Sequence, residues 1–344
     1  YFSKHHTLFC FTLENNDPSY ADYKIYNELS NSSLRYINPF YFLNLKRIIR
    51  ENSITHVIIE HPYYGWMGLL LKHFCGVKLI IHSHNIESER FKSIGKWWWK
   101  IMWYYEKWIH TKANFTFCIS EEDQDYFIEN YNIKPSETAV ITFGFPMQNI
   151  PPDTELKYAR SILLNKYNLA DNTRLFLFNG ALGYEPNTDA VKNIVEHINP
   201  VFIKKNLDYK IIICGKDLPA TMNELKEYAG ENIIYAGFVD DISIYCKGCD
   251  VFINPVQIGG GIKTKLVEAL GYNMNVVSSL NGAIGVDTKI CEGKLLVCEN
   301  NAWEDFADKM QQACLYEANT PAQFFENFYW GNISQKAANI IEGL

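Results

Sequence analysis

Short apolar runs rich in β-branched and aromatic residues recur along almost the whole chain, and stretches with helical spacing separate them. This rhythm is the strongest constraint on the fold, because alternating strand and helix leads to parallel sheets covered by helices on both faces. It predicts strands at 8–13, 56–60, 78–82, 115–120 and 137–142, then at 174–179, 209–214, 233–236, 251–254, 275–278 and 294–298. The series breaks between 144 and 173, where Pro146, Pro151 and Pro152 precede a short predicted helix over 155–167. That break reads as an interdomain connection. The expected architecture is α/β, with two Rossmann-like domains facing a cleft. Their expected limits are 1–150 and 151–320, with a C-terminal helix over 321–344 packing back on the first domain.

Composition excludes several classes of function. The net charge of −7 leaves no excess of cations to displace the counterions of a nucleic acid. No apolar run reaches the about 18–20 residues of a membrane span. The opening Tyr1-Phe2-Ser3-Lys4-His5-His6 has no secretory pattern, which points to the cytoplasm. The nine cysteines lie mostly inside apolar runs, as reduced thiols in a core do. Cys246 and Cys249 form a Cys-x-x-Cys pair, but a zinc ribbon needs a second pair, and this one ends a short helix instead of opening one.

One segment carries chemistry on its own. Gly259-Gly260-Gly261-Ile262-Lys263-Thr264-Lys265 follows the strand at 251–254 and opens a helix. Glycines let the backbone approach a ligand closely, and a helix N-terminus presents free N–H groups and partial positive charge. Lys263 and Lys265 oppose the helix dipole. A bound anion explains that choice. Glu268 lies one turn after Thr264, a rise of about 5.4 Å, at the distance from a nucleotide's phosphates to its ribose. The competing reading is a glycine-rich loop with a Lys265–Glu268 surface pair. The segment is not a P-loop, since Ile262 separates Gly261 from Lys263.

Several segments, in order, resemble the family 4 (group 1) glycosyltransferases, retaining nucleotide-sugar enzymes with the GT-B fold. They are Asn179-Gly180-Ala181-Leu182-Gly183-Tyr184-Glu185-Pro186-Asn187, Ile211–Lys216 with Gly215, Ile233–Asp241 with Phe238, the glycine–lysine–glutamate element, and Gly282-Ala283-Ile284-Gly285. In the first half, His82-Ser83-His84-Asn85-Ile86-Glu87 and Cys118–Asp123 match as well. The resemblance implies transfer of a sugar from a nucleoside diphosphate to an acceptor hydroxyl in cell-surface glycan or polysaccharide synthesis. Gly180, Gly183, Asn187, Gly215, Phe238, Gly260, Gly261, Ile262, Thr264 and Glu268 would bind the donor. Lys263, Lys265 and His84 would be catalytic, with Glu87 on the acceptor side or capping the next helix. The acceptor would be a glycan or a lipid-linked sugar. No cofactor and no metal is expected, since no Asp-x-Asp stands in a matching position and lysines can take over a cation's work. The pair His82-x-His84 offers a metal only two ligands.

There are departures. Gly260 stands where many members carry an acid, and the loop 180–185 lacks the Arg and Lys that many members place there. The family's opening strand, glycine-rich loop and helix are also not found before Leu8. Two other readings remain: a nucleotide-sugar epimerase and a non-catalytic sugar-nucleotide binder.

The segment 92–110 holds Trp97, Trp98, Trp99, Trp103 and Trp108. As one helix it places Trp97, Ile101, Tyr104, Tyr105 and Trp108 on an apolar face, with Lys96, Lys100 and Lys107 in a stripe beside Trp99 and Trp103. Core packing is the commoner cause of such a face. Peripheral contact with the cytoplasmic membrane leaflet through Trp99 and Trp103 is the alternative.

Overall fold

The computed structural model describes residues 1–16 and 21–344. The chain divides into two compact units, Tyr1–Phe143 with Trp330–Leu344, and Gly144–Tyr329.

In the first unit, β1 (Phe9–Leu13) and β2 (Lys24–Leu29) pair in parallel. A second parallel sheet holds β3 (His56–Glu60), β4 (Lys78–Ser83), β5 (Phe115–Cys118) and β6 (Thr138–Val140) side by side in chain order. Strand residues alternate between faces, and β4 shows it well. Leu79 and Ile81 join Ile59 and Ile109 on one side, while Ile80 joins Phe115, Phe117 and Ile141 on the other. The helices are α1 (Tyr41–Glu51), α2 (Gly65–Cys75), α3 (Glu87–Ser93), α4 (Trp99–Lys112) and α5 (Glu121–Tyr131).

β2 was not anticipated, because its Lys-Ile-Tyr-Asn-Glu-Leu is too polar to stand out as a strand. The tryptophan-rich segment is also not one helix. Gly95, at φ +69°, falls between α3 and α4 in the left-handed region that few residues other than glycine adopt.

The second unit is one six-stranded parallel sheet of β7 (Arg174–Asn179), β8 (Tyr209–Cys214), β9 (Ile233–Gly237), β10 (Val251–Asn254), β11 (Asn275–Ser279) and β12 (Leu295–Cys298). Their order is β12-β11-β10-β7-β8-β9. Counted from β7, this is the doubly wound order, and the winding reverses between β7 and β10. The strands are buried on both faces, with Phe176, Ile211, Ile213, Val251 and Ile253 fully enclosed. The helices are α6 (Asp153–Tyr167), α7 (Glu185–Lys192), α8 (Asn199–Phe202), α9 (Ile242–Gly248), α10 (Thr264–Gly271), α11 (Trp303–Ala313) and α12 (Ala322–Phe328).

The helix expected in the interdomain connection is α6, and it is part of this second unit. It packs along α9, and Arg160 on α6 pairs with Asp250 at 2.9 Å. The C-terminal segment is two helices. α12 stays with the second unit, while α13 (Trp330–Glu342) seats Ile333, Ala337 and Ile341 against Ile80, Phe115 and Phe117 of the first. All nine cysteines are free; Cys246 and Cys249 are buried, and burial raises both thiols.

The α6–α9 contact depends on the absence of a side chain at Gly248. A Cβ there would lie 2.9 Å from the backbone of Ala159 and 2.8 Å from Leu163. Gly248→Ala should therefore destabilise the protein by about 1–3 kcal/mol, measured by chemical denaturation. An unchanged midpoint would mean that α6 is not packed there.

Candidate functional site

In an open parallel sheet, ligands bind beyond the carboxyl ends of the strands where the winding reverses. In the second unit that point lies between the loops after β7 and β10, and most of the residues expected to bind a donor stand there. The two loops run close together: a Cβ at Gly259 would meet Pro186 at 3.5 Å and the Tyr184 hydroxyl at 3.9 Å. Gly259 and Gly261 have φ of +93° and +68°, whereas Gly260 faces open space. Asn281 donates to the Gly259 carbonyl at 3.2 Å, and the turn at Gly285 packs on Ile262. Ile262 is therefore buried.

Neither lysine extends into solvent unpartnered. Lys263, the residue before α10, folds back to donate to the carbonyls of Gly259, Gly260 and Gly261 at 2.9, 3.1 and 2.9 Å. It thereby turns the peptide oxygens of the loop onto itself. Burial pushes its ammonium down to about 8. Lys265 pairs with Glu268 at 2.9 and 3.2 Å. This is the surface pair that the sequence offered as the competing reading. Thr264 opens α10, with Glu268 one turn later.

Two glycines next to the site are held by close backbone approach. A Cβ at Gly215 would fall 2.0 Å from the Gly180 carbonyl, and one at Gly180 would strike the Asn187 amide at 2.7 Å. Asn187 itself donates to the Ala181 carbonyl at 2.9 Å, so it braces the loop after β7. Gly183 lies against Asp217. Phe238, just beyond β9, is 70% exposed, which is unusual for a phenylalanine and leaves its ring face open to stacking.

The first unit holds a second cluster, at the carboxyl ends of β3 and β4. Parallel register sets Glu60 opposite His82. Both His82 Nδ1 and His84 Nε2 reach Glu60 Oε2, at 2.9 and 2.5 Å. Partial desolvation works to raise the carboxyl of Glu60, whose side chain is still largely exposed, but the hydrogen bonds from the two histidines hold it well below the usual range. His61 stacks on His84, with ring centroids 4.4 Å apart.

Glu87 is buried, and its carboxylate is fully engaged. It accepts from the Tyr63 hydroxyl at 2.6 Å and Arg90 Nε at 2.7 Å, and lies 3.2 Å from His61 Nδ1. Glu87 and the residues it holds line a cavity of about 420 Å³ together with Tyr36, Glu60 and Asn85. Glu87 also begins α3. That helix start is capped from α4: buried Glu106 accepts from the backbone N–H of Glu87 and Ser88 at 2.9 and 3.1 Å, and from Tyr131 at 2.8 Å.

Glu60, His61, Tyr63, Arg90 and Glu106 were not anticipated. Arg90 stands one helical turn after Glu87 on α3; the others are brought in by a partner far away in sequence or by register, and no local spacing signals them.

The segment 173–315 matches the model of the glycosyl transferases group 1, and 2–148 matches that of glycosyltransferase family 4. The chain belongs to the group 1 glycosyltransferases. It is 25% identical over 335 residues to the uncharacterized glycosyltransferase MJ1069 of Methanocaldococcus jannaschii, covering 88% of this chain and 78% of that one. It is 22% identical over 270 residues to the O-antigen biosynthesis glycosyltransferase WbnH of Escherichia coli, covering 77% and 69%. The structure of Anabaena Alr3699/HepE in complex with UDP superposes with a TM-score of 0.69 at 16% identity, covering 94% of this chain and 86% of that one. This transferase therefore has the GT-B fold, and the epimerase reading is not favoured.

Proposed function

We propose that this transferase moves a sugar from a nucleoside-diphosphate sugar to an acceptor hydroxyl, with retention of configuration, in the synthesis of a cell-surface glycan. The single observation that carries the reading is the glycine–lysine loop at the reversal point of the second sheet. The UDP bound to the HepE structure and the O-antigen role in WbnH's name support the donor and product classes.

On this reading the diphosphate rests on the amides of Gly260, Gly261 and Ile262 and on the start of α10 at Thr264. Lys263 and Lys265 neutralise the charge that grows as the glycosidic bond breaks. No metal is needed at the phosphates, because the two ammonium groups supply the positive charge. The Lys265–Glu268 pair opens on binding: the lysine turns to phosphate and the carboxylate to the ribose hydroxyls. Phe238 stacks beside the base, and the loop held by Gly180, Gly183, Asn187 and Gly215 closes the other side. His84 holds a sugar hydroxyl, and the cavity beside Glu87 takes the acceptor.

The site of action is the cytoplasmic face of a membrane, reached without a span. No helix among the described residues is long and apolar enough to cross a bilayer. Most of the face assigned to the core is in solvent: Trp97, just before α4, and Ile101, Tyr104 and Trp108 on it are 83%, 64%, 69% and 46% exposed, while Tyr105 alone of that face packs inward against the core. Trp103 instead packs inward on Tyr131 and donates to Tyr126 at 3.1 Å. Trp99 lies under Lys92 and Lys100. An aromatic stripe beside Lys96 and Lys100 suits the interface of an anionic bilayer, where a lipid-linked acceptor would be presented.

Incubation with labelled UDP- and GDP-sugars tests the reaction. Lys263→Ala and Lys265→Ala should each lower kcat by about 10²–10³-fold. Lys263 is protonated below its lowered value of about 8, so the cation is present at pH 7 and lost as pH rises. Affinity for the nucleoside diphosphate should fall between about pH 7.5 and 9.5, less steeply in Lys263→Ala. A flat profile in the parent, or normal turnover in both variants, would rule out the role of the loop.

Trp97→Ser with Tyr104→Ser should abolish salt-sensitive binding to anionic liposomes while stability stays within about 0.5 kcal/mol. Liposome binding that survives this double change would place the membrane contact elsewhere.

A further inference from the structure

We infer that the first unit carries a transition-metal site formed by Glu60, His82 and His84, with Zn²⁺ as its natural class of occupant. The inference rests on the geometry of that unit and not on the transfer reading.

One ligand atom from each residue points to a common place, all within 4.8 Å of one another. The backbone imposes this convergence. Glu60 and His82 are opposite residues on neighbouring parallel strands, and His84, in the bend just past β4, brings its ring to 4.6 Å from that of His82. The pair His82-x-His84 offers two ligands in sequence, and the strand register adds the third.

Both histidines converge on one carboxylate oxygen: His82 Nδ1 lies 2.9 Å and His84 Nε2 2.5 Å from Glu60 Oε2, and His82 Nε2 is 3.4 Å from the Ile141 carbonyl. In the metal-free protein the rings hydrogen-bond to the carboxylate. A cation among the three atoms would take the place of those ring protons, and the Ile141 carbonyl is then in position to receive the outer N–H of His82, the usual outer contact of a metal-bound histidine. His61, stacked on His84, fixes the plane of that ring.

The required movement is small. Zinc bonds of about 2.0–2.2 Å put tetrahedral ligand atoms about 3.3–3.5 Å apart. The present 2.5 and 2.9 Å contacts lengthen by an ångström or less, and the Glu60 side chain, 59% exposed, has room to turn. Two imidazoles with one carboxylate select zinc, cobalt or nickel over magnesium or calcium, which prefer all-oxygen sets. The remaining coordination position is left to water or a hydroxyl oxygen.

The test uses the full chain, free of any histidine tag and stripped with chelator, in the absence of donor and acceptor. Titration with Co²⁺ should give one ion per chain with visible absorption bands, displaced by one equivalent of Zn²⁺. His82→Asn and Glu60→Gln should each weaken binding by about tenfold or more, while His73→Asn, outside the cluster, should leave it unchanged. Melting curves of each variant establish that it is folded, and the two ligand variants report independently. Failure to take up one equivalent, or equal affinity in folded His82→Asn or Glu60→Gln, would overturn the assignment. Because no sugar transfer is measured, failure of the metal site and failure of the transferase reading give separate results.

Discussion

Parallel strands deliver all their carboxyl ends to one edge of a sheet, and the functional residues of this protein depend on that constraint. At such an edge the backbone leaves the ladder, and the loops are free to take shapes a strand forbids. In the second unit the winding reverses between β7 and β10, and the chain after β10 passes so close to the start of α7 that a side chain at Gly259 would meet Pro186 and Tyr184. In the first unit the same constraint brings Glu60 and the two histidines together. Each chemical cluster is thus a consequence of topology, with the side chains chosen afterwards.

On the proposed reading the loop after β10 balances two demands. It would offer amides outward, and its carbonyls then need partners. Lys263 meets the second demand by folding back on three of them. A lysine that completes the loop would remain beside any anion the loop accepts, so the structural and the proposed chemical roles do not compete. Lys265 and Glu268 are paired with each other, and the proposal has a ligand with both phosphate and hydroxyls exchange with them.

Much of the fold was legible because buried parallel strands are continuous apolar runs, and these survive in the sequence without ambiguity. β7, β8 and β10 fall where the apolar runs lie. β2 was not legible, since a polar strand in a two-stranded sheet has no such signature. The tryptophan segment misled for a different reason: helical periodicity identifies a face but not which side is buried. Met102, Glu106, Ile109 and His110 form the buried side, and two of these are ionisable. The glycine–lysine–glutamate element could be read because its spacing is local. Glu60 could not, because its partnership with His82 and His84 exists only after β3 and β4 are in register.

The proposed mechanism requires that the Gly260–Ile262 backbone seat a diphosphate. Amide hydrogen exchange across residues 259–265, with and without a nucleoside diphosphate, measures this directly. Protection that appears at Gly260, Gly261 and Ile262 on binding is the predicted result. Saturable binding that protects other segments while these amides exchange as before would contradict it.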